Sequence, residues 1–241
     1  MATKGLFISF EGGEGAGKST QVGLLLARLR AHGHEAISVR EPGGTPLGEQ
    51  VRSWVKSVDV APATELLLFA SARAQLVEKV IKPSLERGRI VVADRFADST
   101  VAYQGYGRGL PLDLVESVNK VATGGLMPDI TFLLDLPVEA AMERIGRPQL
   151  GLESQGKATA GRADEAGQSK FEEAGVAFHR RVRSGFLKLV KAAPRRILLM
   201  DAANPGDEIA AAVWQAVEPA LKSRQAAEAE SKAKPGQSRL I

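Results

Sequence analysis

The 241-residue chain contains no cysteine and only three histidines. Disulfide bonds, thiolate catalysis and metal centres built on cysteine are therefore excluded, and a histidine-rich metal site is not expected. No apolar run approaches the roughly 18 residues needed to cross a bilayer. The N-terminal stretch MATKGLFISFEGGEG meets acidic residues soon after a short apolar run, unlike a signal peptide. These absences predict a cytoplasmic protein with no membrane partner.

The charge balance gives a net charge of +4, with 44% hydrophobic and 25% charged residues, which is typical of a globular chain. An excess of basic residues can indicate nucleic-acid binding. However, residues 222–241 contain five basic and two acidic side chains, so most of the excess lies there. Because this segment has few apolar groups, it is predicted to be a disordered basic tail. Residues 1–221 are then one domain, for which no nucleic-acid partner is predicted.

Short apolar segments alternate with helical patterns along this domain. The alternation predicts a parallel sheet with helices on both faces, and the almost wholly apolar strands fit burial on both sides. A helical stretch from Pro62 to Gly88 contains Pro83, which is expected to kink or break it. Residues 146–169, rich in Gly, Gln and Ser, are predicted to form a mobile loop. The predicted strands are residues 5–10, 35–40, 90–93, 130–136 and 196–200.

The clearest chemical signal is the phosphate-binding pattern G-x-x-x-x-G-K-[ST] between the first strand and the first helix. Backbone N–H groups of such a loop cradle phosphate oxygens, and the positive end of the following helix faces the same anion. Lys18 is predicted to reach the β- and γ-phosphates, and the Ser19 hydroxyl to bind Mg²⁺. The loop comprises Gly12, Gly13, Glu14, Gly15, Ala16, Gly17, Lys18 and Ser19.

The rest of the chain narrows the class of nucleotide-binding protein. The only candidate for a guanine-reading motif, Asn119-Lys120-Val121-Ala122, lacks the required aspartate and falls in a helical pattern, so a GTPase is discarded. Asp94 and Arg95 follow the strand at residues 90–93, at the sheet edge where ligands bind. Asp94 is therefore predicted to hold Mg²⁺, and Arg95 to face a phosphate group.

Three further segments allow two interpretations each. The hydroxyls, ring and amide of residues 98–105 suit a nucleoside base, but such a segment taken alone is more often a helix N-terminus capped by Ser or Thr. Residues 40–45 are either part of the site or an ordinary turn after a strand. Arg73 is either a surface residue whose stem lies on the apolar helix or a ligand group facing a cleft.

Taken in order, these segments resemble the bacterial thymidylate kinase family. The resemblance rests on FEGGEGAGKST, REPGGT, LLLFASARAQL, ADRFADSTVAYQGYGRGL, PDITFLLDLPVEAAMERI and FEEAGVAFHRRVRSGF, which together span almost the whole chain except the tail. It implies an α/β P-loop NTPase fold with a five-stranded parallel sheet and a mobile lid. It also implies the reaction ATP + dTMP → ADP + dTDP with Mg²⁺, and a homodimer.

The resemblance assigns roles to matching residues. Lys18 and Asp94 serve the ATP phosphates and the metal, together with Ser19 and the adjoining Thr20. Glu14 contacts the region of the deoxyribose 3′-hydroxyl. Arg95, with Arg40 or Arg52, holds the dTMP phosphate. Phe69 stacks on thymine, Arg73 and Gln104 read the base edge, and Ser99, Thr100 and Tyr103 line the pocket, where Tyr103 favours deoxyribose.

The phosphate loop supplies no arginine, and family members with such a loop take the catalytic arginine from the lid. The candidates here are Arg147 and Arg162 for the transferred phosphate, with Arg144 as a contact to the ATP base or phosphates. The lid is longer and more glycine-rich than is typical, and Lys170 stands where many bacterial members carry an arginine.

Two alternative functions remain open at this point. A kinase of the same fold could act on another deoxynucleoside monophosphate such as dUMP, because Arg73 and Gln104 do not by themselves detect the thymine methyl group. An inactive nucleotide-binding protein is the other class. The intact Lys18, Ser19 and Asp94 argue against it.

Overall fold

A computed structural model describes residues 5–146 and 175–233, with side chains described as far as residue 226. Five strands form one sheet in the order β2-β3-β1-β4-β5, and every pairing is parallel. The prediction of a five-stranded parallel sheet is therefore confirmed. The strands are β1 (Leu6–Gly12), β2 (Ala36–Arg40), β3 (Ile90–Asp94), β4 (Ile130–Asp135) and β5 (Ile197–Asp201).

Helices follow the strands and cover both faces of the sheet. They are α1 (Lys18–Ala31), α2 (Pro46–Ser57), α3 (Pro62–Leu76), α4 (Lys82–Glu86), α5 (Ala97–Thr100), α6 (Leu112–Thr123), α7 (Val138–Gly146), α8 (Val176–Ala192) and α9 (Gly206–Ala233). Two π-helical segments, Val77–Ile81 and Val101–Gly107, continue α3 and α5. Among the described residues, no helix is both long and apolar enough to cross a membrane.

The side chains of β1 alternate between two apolar cores, as a strand buried on both faces requires. Ile8 and Phe10 pack with Leu25 of α1 and Val213 of α9. Phe7 points to the opposite face and packs with the α3 side of the molecule. The sheet is thus fixed from both sides, and the loops after β1, β2 and β3 meet at one edge.

Pro83 lies inside the helical stretch as expected, but the stretch continues past it. The π-helical segment Val77–Ile81 leads directly into α4, where Pro83 is one of the first residues. Proline lacks an N–H donor and clashes with the carbonyl four residues earlier in a regular helix. Local π-helical winding changes the hydrogen-bond spacing there, which lets the chain pass Pro83 without ending.

Helix α2 was not among the predicted elements. It begins after Thr45, whose side chain accepts a hydrogen bond from the Gly48 N–H at 3.0 Å, and Pro46 occupies its first turn. Both features are N-terminal helix signals. Val51 and Val55 bury the inner face of α2. The REPGGT segment is therefore a turn that leads into a helix and carries Arg52 towards the sheet edge.

The prediction of a disordered tail from residue 222 is wrong for residues 222–233, which belong to α9. Low apolar content does not prevent a helix here, because Ala, Glu, Gln and Lys are good helix formers. The start of this segment is also anchored, since Leu221 just before it is buried and Arg224 Nη2 donates to the Gly88 carbonyl at 3.0 Å. Residues 234–241 lie outside the described part of the chain.

Helix α8 is seated unusually closely on the π-helical segment Val101–Gly107. A Cβ atom on Gly185 would stand 2.5 Å from the Tyr106 ring, and one on Gly107 would stand 2.8 Å from Phe178. Both contacts are closer than any side chain tolerates. Glycine at these two positions therefore brings α8 directly against the segment that carries Tyr103 and Gln104.

Candidate active site

The phosphate loop is held in shape by close backbone contacts. Gly12 has a φ of 138°, and a Cβ there would lie 2.4 Å from the Leu134 carbonyl oxygen of β4. Gly15 has a φ of 69° and lies against the Ala141 carbonyl of α7. Any other residue at Gly12 would be strained and would collide with the neighbouring strand. The loop is thus fixed between β4 and α7 before any nucleotide binds.

Lys18 is the first residue of α1 and lies across the phosphate loop. Its Nζ donates to the Gly13 carbonyl at 2.7 Å, and the side chain is buried. Burial and the nearby positive charge of Arg95 lower the pKa of Lys18 to about 8, against the opposite effect of Glu14, Asp94 and Glu11. The ammonium group is therefore held where it can meet phosphate oxygens, and these would favour its charged form.

Ser19 and Asp94 are brought together, as predicted for a metal site. The Ser19 Oγ donates to Asp94 Oδ2 at 2.5 Å. Hydroxyl and carboxylate oxygens at the mouth of a phosphate loop fit Mg²⁺, which prefers a few protein oxygens together with water and phosphate. No group of three or more His, Cys, Asp or Glu side chains suited to a metal occurs in the described ranges. The pair suits Mg²⁺ that arrives with a nucleotide.

Arg95 is the one non-glycine residue with a left-handed backbone among those described, with a φ of 72°. Its Nη1 donates to the Gly12 carbonyl at 3.0 Å, and its Nη2 lies 2.7 Å from Glu14 Oε1. The guanidinium carbon lies 5.0 Å from the centre of the Tyr103 ring, and the Tyr103 hydroxyl donates to the same Glu14 oxygen at 2.9 Å. A strained backbone at such a position is typical of a functional site.

Glu14, Arg95 and Tyr103 form one charged cluster beside the phosphate loop. Burial alone would raise the pKa of Glu14, but the positive charges of Arg95 and Lys18 and the Tyr103 hydrogen bond lower it to about 2. Burial would lower the pKa of Arg95, yet Glu14 and other neighbours raise it above its usual value. Burial raises the pKa of Tyr103. The Glu14 carboxylate and the Arg95 guanidinium are therefore both charged, and the Tyr103 hydroxyl is neutral.

Glu11 is a fully buried acid at the end of β1 that the motif analysis did not single out. Its Oε1 accepts from the Phe96 N–H at 2.7 Å, and its Oε2 accepts from the Ser99 hydroxyl at 2.5 Å. Burial, followed by the nearby charge of Asp98, raises the pKa of Glu11 to about 8. Two strand ends are therefore joined through this one carboxyl group.

Arg73 is not a surface residue, since its side chain is only 2% exposed. Its Nε donates to Glu41 Oε2 at 2.8 Å, and its Nη1 donates to Asn119 Oδ1 at 2.6 Å. Its Nη2 donates to the Thr100 hydroxyl at 2.8 Å and to the Phe96 carbonyl at 3.3 Å. The surface interpretation is wrong, and the guanidinium belongs to a buried polar network.

The hydroxyls of residues 98–105 do not cap a helix. Helix α5 begins after Phe96 without a side-chain cap, and the Thr100 and Ser99 hydroxyls instead contact Arg73 and Glu11. Gln104 is buried and its Nε2 donates to Glu65 Oε1 at 2.8 Å. The capping interpretation is therefore wrong, and this segment faces the same interior region as Arg73.

The remaining predicted dTMP contacts lie around the turn after β2. Arg40 is half exposed and pairs with Glu49 at 2.9 Å, and Arg52 Nη1 donates to the Pro42 carbonyl at 3.4 Å. Phe69 is half-buried on α3, one helical turn before Arg73, so the two residues share a face. These residues border the region of Arg73 on the β2 side.

The ATP side of the site is described in part. Arg144 at the end of α7 donates from its Nη1 to the Ala202 carbonyl at 2.9 Å, which ties α7 to the loop after β5. Arg147 and Arg162, together with residues 147–169 of the predicted lid, lie outside the described residues. Thr20 is exposed next to Ser19 at the start of α1.

A pocket on the other side of the phosphate loop lies between β4, α7 and α8. Its lining includes Gly13, Glu14, Met142 and the buried side chain of His179. The His179 Nε2 atom is buried and has no hydrogen-bond partner within the described chain. A positive charge on His179 would also help to lower the pKa of Glu14. This places a third element, α8, beside the loop acid.

Two of these residues, Glu11 and Asn119, belong to the site although its recognised motifs assign a role to neither. Glu11 is a lone acid in an apolar strand, which indicates a buried carboxyl group with specific partners. Asn119 was discarded with the guanine motif but binds Arg73 and donates to the Ala97 carbonyl at 3.1 Å. Glu65 lies on the same helix face as Arg73, but nothing in a single sequence indicates that it pairs with Arg108 and Gln104.

Comparison with known proteins gives a consistent picture over nearly the whole chain. The family model described as "Thymidylate kinase" matches residues 10–213. A thymidylate kinase of Deinococcus radiodurans is 50% identical over 218 residues, covering 89% of this chain and 97% of the relative. One from Desulfosudis oleivorans is 45% identical over 216 residues, covering 88% and 96%. The crystal structure of thymidylate kinase from Ehrlichia chaffeensis superposes with a TM-score of 0.67 at 31% identity, covering 89% of this chain and 99% of that one.

Proposed function

The chain belongs to the thymidylate kinase family, and we propose that it transfers the γ-phosphoryl group of ATP to dTMP, giving ADP and dTDP. The observation that carries this function is the cluster of Arg95, Glu14 and Tyr103 against the phosphate loop. It sets a phosphate-binding cation directly beside the site for the ATP phosphates. The relatives lend no support to dUMP as the preferred substrate.

The phosphate loop and the start of α1 bind ATP. Loop N–H groups and the positive end of α1 face the phosphates, and Lys18 neutralises the charge of the β- and γ-phosphates. Arg144 lies at the loop after β5, where it contacts the ATP base or phosphates. Mg²⁺ held by Ser19 and Asp94 would neutralise phosphate charge and orient the β- and γ-oxygens when it is bound.

The dTMP site lies on the opposite side of Arg95. Arg95 holds the phosphate, assisted by Arg40 or Arg52, and Glu14 faces the sugar 3′-hydroxyl. Tyr103 fills the space beside the sugar 2′-carbon and so favours deoxyribose. Phe69 stacks on the base, while Arg73 and Gln104 read its edge within a pocket lined by Ser99 and Thr100.

This arrangement suits a reaction that depends on positioning. The attacking phosphate of dTMP is already anionic at neutral pH, so no side chain needs to remove a proton. Phosphoryl transfer passes through a loose transition state, in which aligned phosphates and fixed cations lower the barrier. Lys18 and Arg95 supply two of these cations, and a lid arginine, Arg147 or Arg162, supplies the third to the transferred group.

We further infer a homodimer in the cytoplasm. Large apolar side chains are exposed on α2, α3 and α6, which pack beside one another. Leu114 and Val121 lie seven residues apart on one face of α6, and Leu47 and Trp54 have the same spacing on α2. With Leu67 of α3, which is 60% exposed, they form an apolar surface of the kind that marks an interface.

A substrate panel tests the proposed activity. Purified protein is assayed with ATP and Mg²⁺ against dTMP, dUMP, dCMP and AMP by coupling ADP release to NADH oxidation. We expect the highest kcat/KM with dTMP, and loss of activity in a Lys18→Met variant used as the background control. A higher kcat/KM for dCMP or AMP than for dTMP would contradict the proposal. A higher kcat/KM for dUMP than for dTMP would show that dUMP is the preferred substrate.

A further inference from the structure

Glu11 has no role in the function proposed above, although its carboxyl group accepts a hydrogen bond from the Phe96 N–H in the turn that carries Arg95. It is fully buried at the end of β1. An acid is stable in such a place only when hydrogen bonds satisfy it. Both of its oxygens are satisfied, and both partners belong to the segment that follows β3.

The first contact fixes the backbone around Arg95. The Arg95 N–H donates to the Phe10 carbonyl at 3.0 Å, and the next N–H, that of Phe96, donates to Glu11 at 2.7 Å. Two consecutive N–H groups are thus held by two consecutive residues of β1. The left-handed φ of 72° at Arg95 lies between these two anchors. Such a conformation is strained for a residue other than glycine, and it persists only where the surroundings hold it.

The second contact reaches the guanidinium group. The Ser99 hydroxyl hydrogen-bonds to Glu11 Oε2 at 2.5 Å, and Arg95 Nη1 lies 3.3 Å from the same hydroxyl oxygen. Glu11 therefore orients the Ser99 hydroxyl, whose oxygen in turn accepts a hydrogen bond from the Arg95 guanidinium. The other contacts of the guanidinium, to Gly12 and Glu14, come from the phosphate loop that begins one residue after Glu11.

We propose that Glu11 is a positioning residue for the dTMP phosphate: it holds the strained Arg95 turn and, through Ser99, the direction of the Arg95 guanidinium. This assignment rests on the proposed function, because it takes Arg95 as the phosphate-binding residue. Glu11 itself contacts no substrate. It couples the end of β1, where the ATP loop starts, to the end of β3, where the dTMP site starts.

Two variants separate hydrogen bonding from packing. Glu11→Met keeps the length and unbranched shape of the side chain but accepts no hydrogen bond from Phe96. Glu11→Gln keeps both the shape and an oxygen for the Phe96 N–H. Thr131→Val is the matched control, because it removes a buried hydroxyl on the same strand pair that bonds to Ser9 at 2.8 Å and accepts from Arg196 at 3.0 Å. The contacts of the Arg95 guanidinium, to Gly12, Glu14 and Ser99, do not include it.

The measurement compares the change in KM for dTMP with the change in KM for ATP. We expect Glu11→Met to raise KM for dTMP by about tenfold or more, which is the change in affinity produced by the loss of one hydrogen bond. The KM for ATP should change by less than about twofold. Glu11→Gln should restore most of the affinity for dTMP. Thr131→Val should lower the melting temperature without changing either KM.

Equal effects of Glu11→Met on both substrates, or none on dTMP, would overturn the proposal. If Glu11→Met is too poorly active for a KM to be measured, its crystal structure provides a second measurement. In crystals of this variant the φ of Arg95 should leave the left-handed region or the guanidinium should leave Gly12 and Glu14, and retention of both would also overturn it. A wild-type chain inactive on dTMP would contradict the proposed function only, since the crystal readout needs no activity.

Discussion

Arg73 and Glu41 form an ion pair with both side chains almost completely buried, and the Arg73 Nη2 atom lies 2.6 Å from Glu41 Oε2. The pair joins α3 to the turn after β2 and is extended by Asn119 and Thr100. Burial raises the pKa of Glu41, and only the charge and hydrogen bond of Arg73 oppose this. The region that we propose binds the base is therefore built around two buried charges, each of which is stabilised by the other.

Removing one partner of this pair should be costly. We expect Arg73→Met to lower the free energy of unfolding by about 3–5 kcal/mol, because it leaves a buried carboxyl group without its partner. The exposed pair of Arg40 and Glu49 supplies the control, and Arg40→Met should cost less than about 1 kcal/mol. Urea denaturation of both variants measures the difference. Equal losses of unfolding free energy in the two variants would show that the buried ion pair contributes no more to stability than the exposed one.

Glu11 should make stability fall as pH rises. Its pKa is raised from 4.5 to about 8 in the folded chain by burial and by Asp98. Between these values the folded protein holds a proton that the unfolded chain has released, so rising pH favours unfolding. The contribution is fully present below pH 4.5 and is lost as pH passes 8. Denaturation of Glu11→Gln across this range should show a shallower decline than wild type, whereas the exposed Glu35→Gln should match wild type.

Lys18 should give the ATP reaction an alkaline limit. Burial and Arg95 lower the pKa of Lys18 to about 8, and only the protonated amine attracts phosphate. We therefore expect kcat/KM for ATP, which reports the free enzyme, to fall as pH rises through about 8. The fall should persist in Glu11→Gln, which separates the two groups. Lys18→Met should lose about 100-fold or more in kcat. A wild-type profile that stays flat to pH 10 would contradict this assignment.

The apolar surface on α2, α3 and α6 should be the dimer interface. Val121 is 83% exposed at its edge, and a Val121→Glu, Leu67→Glu variant places two charges there. We expect sedimentation analysis to give a dimer for wild type and a monomer for this variant. Leu24→Glu is the control, because Leu24 is 43% exposed on α1, on the other side of the sheet. Dissociation by the control alone would place the interface elsewhere.

The sheet and the phosphate loop could be predicted because both are encoded locally. Five apolar runs have strand length, and the glycines and Lys18 occur at a spacing that one backbone shape explains. Helix α2 has N-terminal signals in Thr45 and Pro46, but the glycines before them are equally typical of a turn that no helix follows. The first residues of the predicted tail combine low apolar content, which indicates disorder, with high helix propensity, and in the structure they are helical.

The buried polar partners could not be predicted from one sequence. Arg73 meets Asn119 across 46 positions of the chain, and Glu11 meets Ser99 across 88. Neither pair has a local pattern, and each depends on where the sheet places strand ends. The position of Arg73 in an apolar helix allowed either a surface residue or a ligand group facing a cleft, and only its surroundings could decide.

Helix α8 and the segment bearing Tyr103 approach each other closely at Gly107 and Gly185, where the Phe178 ring lies against Gly107 and the Tyr106 ring lies against Gly185. Because these contacts leave no free space, we expect a shift of α8 to move the segment that carries Tyr103, the residue that we propose lies beside deoxyribose. A nucleotide whose binding moved α8 would therefore change the affinity for the other nucleotide, and by thermodynamic reciprocity each nucleotide would change the affinity for the other by the same factor. The two glycines would in this way couple the movement of α8 to that of the segment bearing Tyr103.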